Sequence, residues 1–295
     1  MILAPPQWRA ALEQHRRRLE PWAGRRRRRA SRGLKHPVED FLFTYYRLSP
    51  AKLLAWHPGA GVALEPAPDL PAHLARPPYQ AGPAGWRLEA EWMPPPARRQ
   101  LGFIDRLLAA TAGRRPRFAC HGLHEWAMVD GLDPADVRHQ GVPLRLPPRQ
   151  LSEFLRSQRV ECTHYDAFRF FTPSARPLNR CQPCLETRLE LEQPGCVHAN
   201  MDLYKWCYKL SPWIGGELLA DAFELAVAAR DLDMRASPYD LRAHSIEPIP
   251  IETEAGRRQY ADSQQQIANQ AQPIRLRLLE QVRIIRSRLD GVAAA

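Results

Sequence analysis

Cysteine, histidine and aromatic residues are concentrated between residues 160 and 241. This stretch contains two Cys-X-His triplets, one from Cys162 to His164 and one from Cys196 to His198. An acid follows each triplet, Asp166 in the first case and Asp202 in the second. Thiols, imidazoles and carboxylates can bind a metal ion, transfer protons or hydrogen-bond a polar ligand. We therefore expect the functional site of the protein in this stretch.

Two sets of these residues would suit a tetrahedral zinc ion. The first set joins a C-x2-C pair, Cys181 and Cys184, to the second triplet. The second set is drawn from the two triplets: Cys162, His164, Cys196 and His198, with Cys120 or His124 nearby. The alternative without a metal makes each cysteine a small core residue and each histidine a hydrogen-bonded one. Six cysteines in a chain with no export signal favour reduced thiols or metal ligands over disulfides.

His124 and Glu125 form a candidate acid–base pair, and Trp126 follows them directly. A carboxylate against an aromatic side chain has a raised pKa when desolvation disfavours its charge. No second histidine lies four residues on, so the helical zinc-protease motif is excluded. The glycine-rich phosphate-binding motifs and the Gly-X-Ser-X-Gly elbow of many hydrolases are also absent from the sequence.

The positive charge of the chain is concentrated at its N-terminus. The formal net charge is +10, and residues 1–35 account for +9 of it, with eleven Lys and Arg residues against two acids. The strongest run consists of Arg25, Arg26, Arg27, Arg28 and Arg29. Such a strip can neutralise backbone phosphates, which predicts DNA as a partner. The alternative is a solvated helix face.

Hydrophobic periodicity predicts a mainly α fold with a few short strands, an α+β class. We expect a single compact domain with long terminal helices. Residues 1–35 would form a basic N-terminal helical arm, 36–254 the core domain, and 255–295 a C-terminal amphipathic helix packed on the core. Helical spacing is found at 5–33 with a break near Gly24, and at 97–112, 149–158, 200–210, 213–233 and 255–289 with a bend at Pro273. Short strands are expected near 86–92 and 160–162.

No segment of the chain has the length and apolarity of a membrane span, and no cleavable signal sequence is apparent. We therefore expect a cytoplasmic protein that has no membrane partner.

Several long segments of the sequence are distinctive: His36–Tyr46, Phe118–Met128, Cys162–Pro173 with Arg176–Asn179, and Gln193–Trp206 continuing through Met234–Asp240. These segments resemble bacterial proteins catalogued as 3-methyladenine DNA glycosylases. The resemblance spans most of the chain and implies an enzyme of base excision repair. The helix-hairpin-helix of one established glycosylase group is not apparent, so the resemblance by itself assigns no catalytic residue.

The implied reaction is hydrolysis of the N-glycosidic bond of an alkylated purine such as 3-methyladenine. The enzyme would flip the nucleotide out of the duplex, stack the base on aromatic rings and stabilise the sugar cation with a carboxylate. The stacking candidates are Trp126, Tyr204, Trp206 and Tyr208. Asp202 is the first candidate for the carboxylate and Glu125 the second, while His124, His164 and His198 would orient water or bind the base. This reaction requires no cofactor.

Two alternatives remain at this point. The first is a zinc-dependent hydrolase or other small-molecule enzyme that uses the Cys-X-His clusters as ligands and Glu125 as the base. The second is a nucleic-acid-binding protein without catalytic activity. Both enzymatic hypotheses require the distant imidazoles and acids to lie together.

Overall fold

The protein is described by a computed structural model that covers residues 1–133, 136–137 and 141–293. These ranges contain eleven α-helices and four short strands, which confirms the predicted mainly α class. The helices are α1 (Pro5–Ser31), α2 (Phe41–Thr44), α3 (Pro50–Leu54), α4 (Pro95–Ala112), α5 (Leu123–Ala127), α6 (Pro148–Ser157), α7 (Tyr165–Phe168), α8 (Arg188–Leu191), α9 (Val197–Lys209), α10 (Gly216–Arg235) and α11 (Glu254–Ala293).

The strands form one small mixed sheet. They are β1 (Ile2–Leu3), β2 (Ala63–Leu64), β3 (Gln80–Gly82) and β4 (Gly85–Arg87), in the order β1-β2-β4-β3. β1 pairs with β2 in parallel, and the other two pairings are antiparallel. The strand expected at 86–92 is shorter than predicted, because a 3-10 helix replaces it at Ala90–Trp92.

Both predicted terminal helices are present, with 27 residues in α1 and 40 in α11. The break expected near Gly24 was wrong, because α1 is continuous through this residue. One glycine costs a helix only about 1 kcal/mol, and α1 buries Trp8, Leu19 and Ala23 along one face. The other predicted helices correspond to α4, α6, α9 and α10.

The chain divides into two compact units. Unit 1 comprises Met1–Leu108, Leu203–Glu224 and Ile274–Ala295, and unit 2 comprises Ala109–Asp202 and Leu225–Pro273. Four helices, α4, α9, α10 and α11, run from one unit into the other. The boundaries expected at residues 35 and 254 stay a prediction. Within the described ranges, no helix has the combination of length and apolarity that spanning a bilayer requires.

The core of unit 1 contains a cluster of aromatic rings. The Tyr204 ring lies 5.5 Å from Tyr46 and 5.2 Å from Phe223, centroid to centroid. The Tyr208 hydroxyl donates a hydrogen bond to the carbonyl of Tyr46 at 2.6 Å. Offset and edge-on aromatic pairs of this kind each add about 1 kcal/mol beyond the burial of their surface.

Unit 2 is built from α5 to α8 and from parts of the shared helices. Trp126 packs edge-on against Phe154 of α6, with 4.8 Å between ring centroids. Its indole N–H donates to the carbonyl of Ala236 at 2.8 Å, which satisfies the only polar atom of this buried side chain. These contacts fix α5, the helix that carries His124 and Glu125.

Candidate functional site

A tight turn before α5 brings Cys120 back against His124. His121 and Gly122 both have positive φ, 47° and 75°. A Cβ at position 122 would lie 2.9 Å from the Cβ of Ala236, so this turn requires a glycine. As a result the Cys120 Sγ lies 3.1 Å from the Nδ1 of His124.

The other nitrogen of His124 is held by a buried carboxylate. The His124 Nε2 lies 2.6 Å from the Asp233 Oδ1 on α10. The second oxygen of Asp233 accepts a hydrogen bond from Arg230 at 3.0 Å, and Arg230 also donates to Glu125 at 2.9 Å. These four side chains are buried. They form one hydrogen-bonded chain in which each charge has an opposite partner.

Three imidazoles from separate segments lie next to one another. The His198 ring is 4.5 Å from the His124 ring and 5.5 Å from the His164 ring, centroid to centroid. The ligand atoms of His124, His198 and Asp233 all lie within 4.8 Å of one another. Residues predicted from distant parts of the sequence are therefore brought together in unit 2.

Asp202 belongs to a second carboxylate group beside His164. The His164 Nε2 lies 3.3 Å from the Asp202 Oδ2 and 3.8 Å from the Glu192 Oε1. Arg188 donates to Glu192 at 2.7 Å and lies 3.6 Å from Asp202. The buried Nδ1 of His164 has no hydrogen-bond partner among the described residues.

Adjacent imidazoles in this cluster have opposite pKa shifts. Burial opposes the charge of His124, but Asp233 and Cys120 hold its pKa well above the ordinary value. Burial and the neighbouring His124 lower the pKa of His198 to about 3. Burial raises the pKa of Glu125, whereas the imidazoles and Arg230 keep the pKa of Asp233 below its usual range in spite of burial. The surroundings thus favour the charged form of His124 and the neutral form of the adjacent His198.

A small cavity adjoins the imidazoles. Its volume is about 10 Å³, roughly the space of a single water molecule. The lining residues are Cys120, His124, Glu161, Cys162, Thr163, Gln193, Cys196, Val197, His198, Tyr260 and Gln264. Burial, together with the other cysteines, raises the pKa of the Cys162 thiol, and burial raises that of Cys196. Three cysteines and two histidines are therefore among the residues that line the cavity.

Buried amide side chains hold the cysteine backbone in place. Asn179 accepts from the Cys162 N–H at 2.7 Å and donates to its carbonyl at 2.8 Å. Gln193 accepts from the N–H groups of Arg117 and Gly195 at 2.9 and 2.7 Å. A Cβ at Gly195 would lie 2.5 Å from the Arg117 carbonyl oxygen, so only glycine fits directly before Cys196.

Several residues of the site were not predicted from the sequence. Tyr260 and Gln264 lie one turn apart on α11 and are 0% and 1% exposed. Both residues line the cavity. The Tyr260 hydroxyl and the Gln264 Oε1 have no hydrogen-bond partner in the described part of the chain. Arg188, Glu192 and Arg230 were missed as well. Two spacings in the sequence could have indicated these residues: the i,i+4 pair of Arg188 and Glu192, and Arg230-x-x-Asp233 on α10.

The first predicted zinc set is not gathered at this cavity. The Cys181 thiol donates to the carbonyl of Cys162 at 3.1 Å, and the Cys184 Sγ lies 3.4 Å from the Thr187 hydroxyl. Neither residue lines the cavity. In the second set, Cys162, Cys196 and His198 line it, and His164 lies behind His198.

The predicted stacking residues do not line the cavity. Trp126 is fully buried in unit 2, and its ring packs on Phe154. Tyr204, Trp206 and Tyr208 belong to unit 1, where Tyr204 and Trp206 are buried. A flipped base would therefore reach Trp126, Tyr204 and Trp206 only after rearrangement of the core, whereas Tyr208 is partly exposed.

Most arginines of the predicted phosphate-binding strip are paired with acids. Arg25 and Arg29 contact Glu39, and Arg26 and Arg29 contact Asp40. Arg27 pairs with Glu20. Arg27 and Arg28 are the two exposed members of the run. Nearby acids thus offset much of the charge that was expected to meet phosphates.

Comparison with known proteins adds no assignment to this geometry. No protein-family model matches the chain, and neither a curated protein nor a solved structure is detectably similar to it. The resemblance to the DNA glycosylases therefore stays a prediction from the sequence.

Proposed function

We propose that the protein is a hydrolase that cleaves the N-glycosidic bond of alkylated purines in DNA, with the imidazole–carboxylate cluster of unit 2 as its catalytic centre. The observation that supports this proposal is the convergence of His124, His164, His198 and Asp202. These residues come from three separate segments, each of which resembles the glycosylases. They form one contiguous group, in which His124, His164 and Asp202 are buried and His198 is half-buried.

The reaction needs a water molecule, a proton acceptor and a negative charge near the sugar. The oxygen of water bonds to C1′, the bond from C1′ to the purine nitrogen breaks, and its electron pair goes to the base. The water proton passes to an imidazole or a carboxylate of the cluster. Asp202 would stabilise the positive charge that develops on the sugar, and Asp233 would hold His124 in a fixed orientation.

The size of the cavity sets a condition on this proposal. A volume of about 10 Å³ admits water but not a purine. The cavity must therefore widen on contact with DNA before the base can bind. The exposed Arg27 and Arg28 would add a salt-dependent affinity for the DNA backbone.

Release of free base from methylated DNA tests the proposal. We expect the purified protein to liberate 3-methyladenine, detected by chromatography, and Asp202→Asn to reduce the rate by at least about 100-fold. Asp262→Asn is the matched control, since Asp262 is an exposed acid of α11. Circular dichroism would verify that both variants fold.

Failure to release an alkylated purine from methylated DNA would contradict the proposal. Retention of methylated DNA without release would instead support the non-catalytic nucleic-acid-binding alternative. A rate that is unchanged in Asp202→Asn would remove this carboxylate from the catalytic centre.

A further inference from the structure

A thiol, an imidazole and a carboxylate of unit 2 are aligned as a nucleophile, its base and the group that orients the base. The Cys120 Sγ lies 3.1 Å from the Nδ1 of His124, and the Nε2 of the same ring lies 2.6 Å from the Oδ1 of Asp233. An activated thiol is recognised by these three groups in this order. Cys120 is a free, half-buried thiol that lines the cavity, and the glycosylase reaction does not use it.

The backbone that follows Cys120 has an unfavourable conformation. His121, the next residue, has a φ of 47°, a left-handed value that is uncommon for residues with a Cβ. Strained backbone of this kind is concentrated at active sites, where it orients a reacting group. Here the turn reverses the chain, so that Cys120 and His124 are in contact although they lie four residues apart. The turn therefore holds the nucleophile against its base.

The charges around His124 favour a thiolate at Cys120. Burial opposes the charge of His124, but Asp233 and Cys120 hold its pKa well above the ordinary value. A charged imidazole next to a sulfur atom stabilises the thiolate, which is the reactive form of cysteine. Arg230 donates to the second oxygen of Asp233 at 3.0 Å, which keeps this carboxylate ionised and in place.

The cavity next to Cys120 limits the reagents that this thiol can attack. A space of about 10 Å³ holds an oxygen atom of the size of water, but it excludes esters, thioesters and nucleobases. Hydrogen peroxide consists of two oxygen atoms with their hydrogens and is among the smallest electrophiles that oxidise a thiolate. The size of the cavity therefore favours a peroxide as the substrate of Cys120.

Two residues of α11 provide an independent indication of a small polar guest. Tyr260 and Gln264 line the cavity, and the Tyr260 hydroxyl and the Gln264 Oε1 have no hydrogen-bond partner among the residues described. Buried polar atoms are rarely left unpaired, because each loses the hydrogen bonds of water. Burial, with the charges of Asp233 and Cys120, raises the pKa of Tyr260, so its hydroxyl keeps its proton at neutral pH and remains a donor.

We propose that Cys120 is a peroxide-reactive nucleophile and that the protein reduces hydrogen peroxide with a small thiol as the reductant. His124 is the catalytic residue that holds the proton of the thiol, and Asp233 is the positioning residue that orients His124. This activity goes beyond the glycosylase reaction and does not rest on it.

The reaction oxidises the sulfur of Cys120 and reduces the peroxide. The thiolate attacks one oxygen, so an S–O bond forms while the O–O bond breaks, and its electron pair goes to the departing oxygen. The departing hydroxide takes the proton held by His124 and leaves as water, and Cys120 becomes a sulfenic acid. A first molecule of the small thiol condenses with the sulfenic acid to a mixed disulfide and water. A second molecule displaces Cys120 from it, and the proton returns to His124.

Oxidation of individual cysteines in the reduced, full-length wild-type protein tests the proposal. The protein is treated with hydrogen peroxide, its sulfenic acids are trapped with a 1,3-diketone, and each cysteine is followed by mass spectrometry. We expect Cys120 to be trapped at least about 100-fold faster than Cys184. Cys184 is the internal control, because it is a half-buried cysteine of unit 2 whose Sγ lies 3.4 Å from the Thr187 hydroxyl and not beside an imidazole. No DNA is involved, so the result is independent of the glycosylase assay.

Single substitutions assign the roles. With dithiothreitol as the thiol, we expect Cys120→Ser to abolish peroxide consumption by the protein and the matched control Cys184→Ser to leave it unchanged. His124→Gln should slow the trapping of Cys120 by at least about 100-fold, and Asp233→Asn by at least about 10-fold. In both variants the trapping rate of Cys184 in the same molecule should stay the same, which distinguishes a lost proton relay from unfolding.

The size of the peroxide provides a second test. An aromatic hydroperoxide is too large for the cavity, so Cys120 should react with it at least about 10-fold more slowly than with hydrogen peroxide. Equal rates at Cys120 would overturn the assignment of a small peroxide as the substrate.

Two further results would overturn the proposal as a whole. One is a wild-type protein in which Cys120 and Cys184 form sulfenic acid at the same rate, a measurement that stands even where a variant fails to fold. The other is peroxide consumption that continues at the wild-type rate in Cys120→Ser.

Discussion

The buried interiors of units 1 and 2 differ in chemistry although helix α9 contributes to both. The first part of α9 belongs to unit 2 and carries His198 and Asp202, which join a network of imidazoles and carboxylates. The later part belongs to unit 1 and carries Tyr204 and Tyr208, which join an aromatic cluster. Aromatic packing needs little more than shape and apolar surface, whereas a buried polar network is costly wherever one member lacks its partner.

The buried charge network of unit 2 is not explained by stability alone. Replacing a buried charge network by apolar residues of similar volume is often neutral or stabilising, so such a network is weak support for a purely structural role. In unit 2 the network adjoins a cavity and unpaired polar atoms. These are the features of unit 2 on which the proposed function rests.

The largest expected effect comes from breaking the charge network of unit 2. Asp233→Leu leaves the cations of His124 and Arg230 buried without their common partner. We expect the free energy of unfolding to fall by about 3–5 kcal/mol, measured by urea denaturation. Asp262→Leu, at an exposed position of α11, should change it by less than about 0.5 kcal/mol. Equal effects of the two substitutions would show that the network contributes nothing specific.

An effect of intermediate size on the free energy of unfolding is expected when the pH is lowered, and it arises from His57 in unit 1. Burial, with His73 and His15 nearby, lowers the pKa of His57 to about 3. The unfolded chain takes up a proton at His57 near pH 6.5, and the folded chain does not until about pH 3, so stability falls as the pH drops through this window. We expect a loss of about 1–2 kcal/mol between pH 7 and pH 5 from this residue.

His57→Gln tests this assignment. Its free energy of unfolding should decline less steeply with acid than that of the wild type between pH 7 and pH 5. Parallel pH profiles of the two proteins would mean that His57 takes up its proton in the folded protein as readily as in the unfolded chain.

Much of the fold could be predicted from the sequence, because local patterns determine it. The apolar spacing of α4, α9 and α10 predicts their helices within a few residues, and Pro148 marks the start of α6. The break expected at Gly24 was wrong because packing of the α1 face overrides one weak helix former.

The candidate site was only partly predictable, for a different reason. The Cys-X-His triplets and the pair of His124 and Glu125 stand out by composition. Tyr260 and Gln264 do not, since their importance depends on a cavity built by residues from Cys120 to His198, far away in the sequence. The pairing of His124 with Asp233 spans 109 residues, and no local pattern encodes it.

The smallest change in stability is expected from a matched pair of tyrosines, one in each unit. The hydroxyls of Tyr204 and Tyr260 are both buried, and neither has a hydrogen-bond partner in the ranges described. Removing an unsatisfied hydroxyl should alter the unfolding free energy by less than about 1 kcal/mol in either case.

Urea denaturation of Tyr204→Phe and Tyr260→Phe measures both changes. A loss of more than about 1 kcal/mol in either variant would show that the hydroxyl removed is hydrogen-bonded in the folded protein.

The division of four helices between the units affects whether each unit can be expressed as a fragment and when each can fold during synthesis. Unit 1 needs three stretches of sequence and unit 2 needs two. Neither can be produced as one uninterrupted fragment. During synthesis, unit 2 has all of its residues once Pro273 has emerged, whereas unit 1 must wait for the last turns of α11. The interior that holds the imidazoles and thiols can therefore close before the aromatic one.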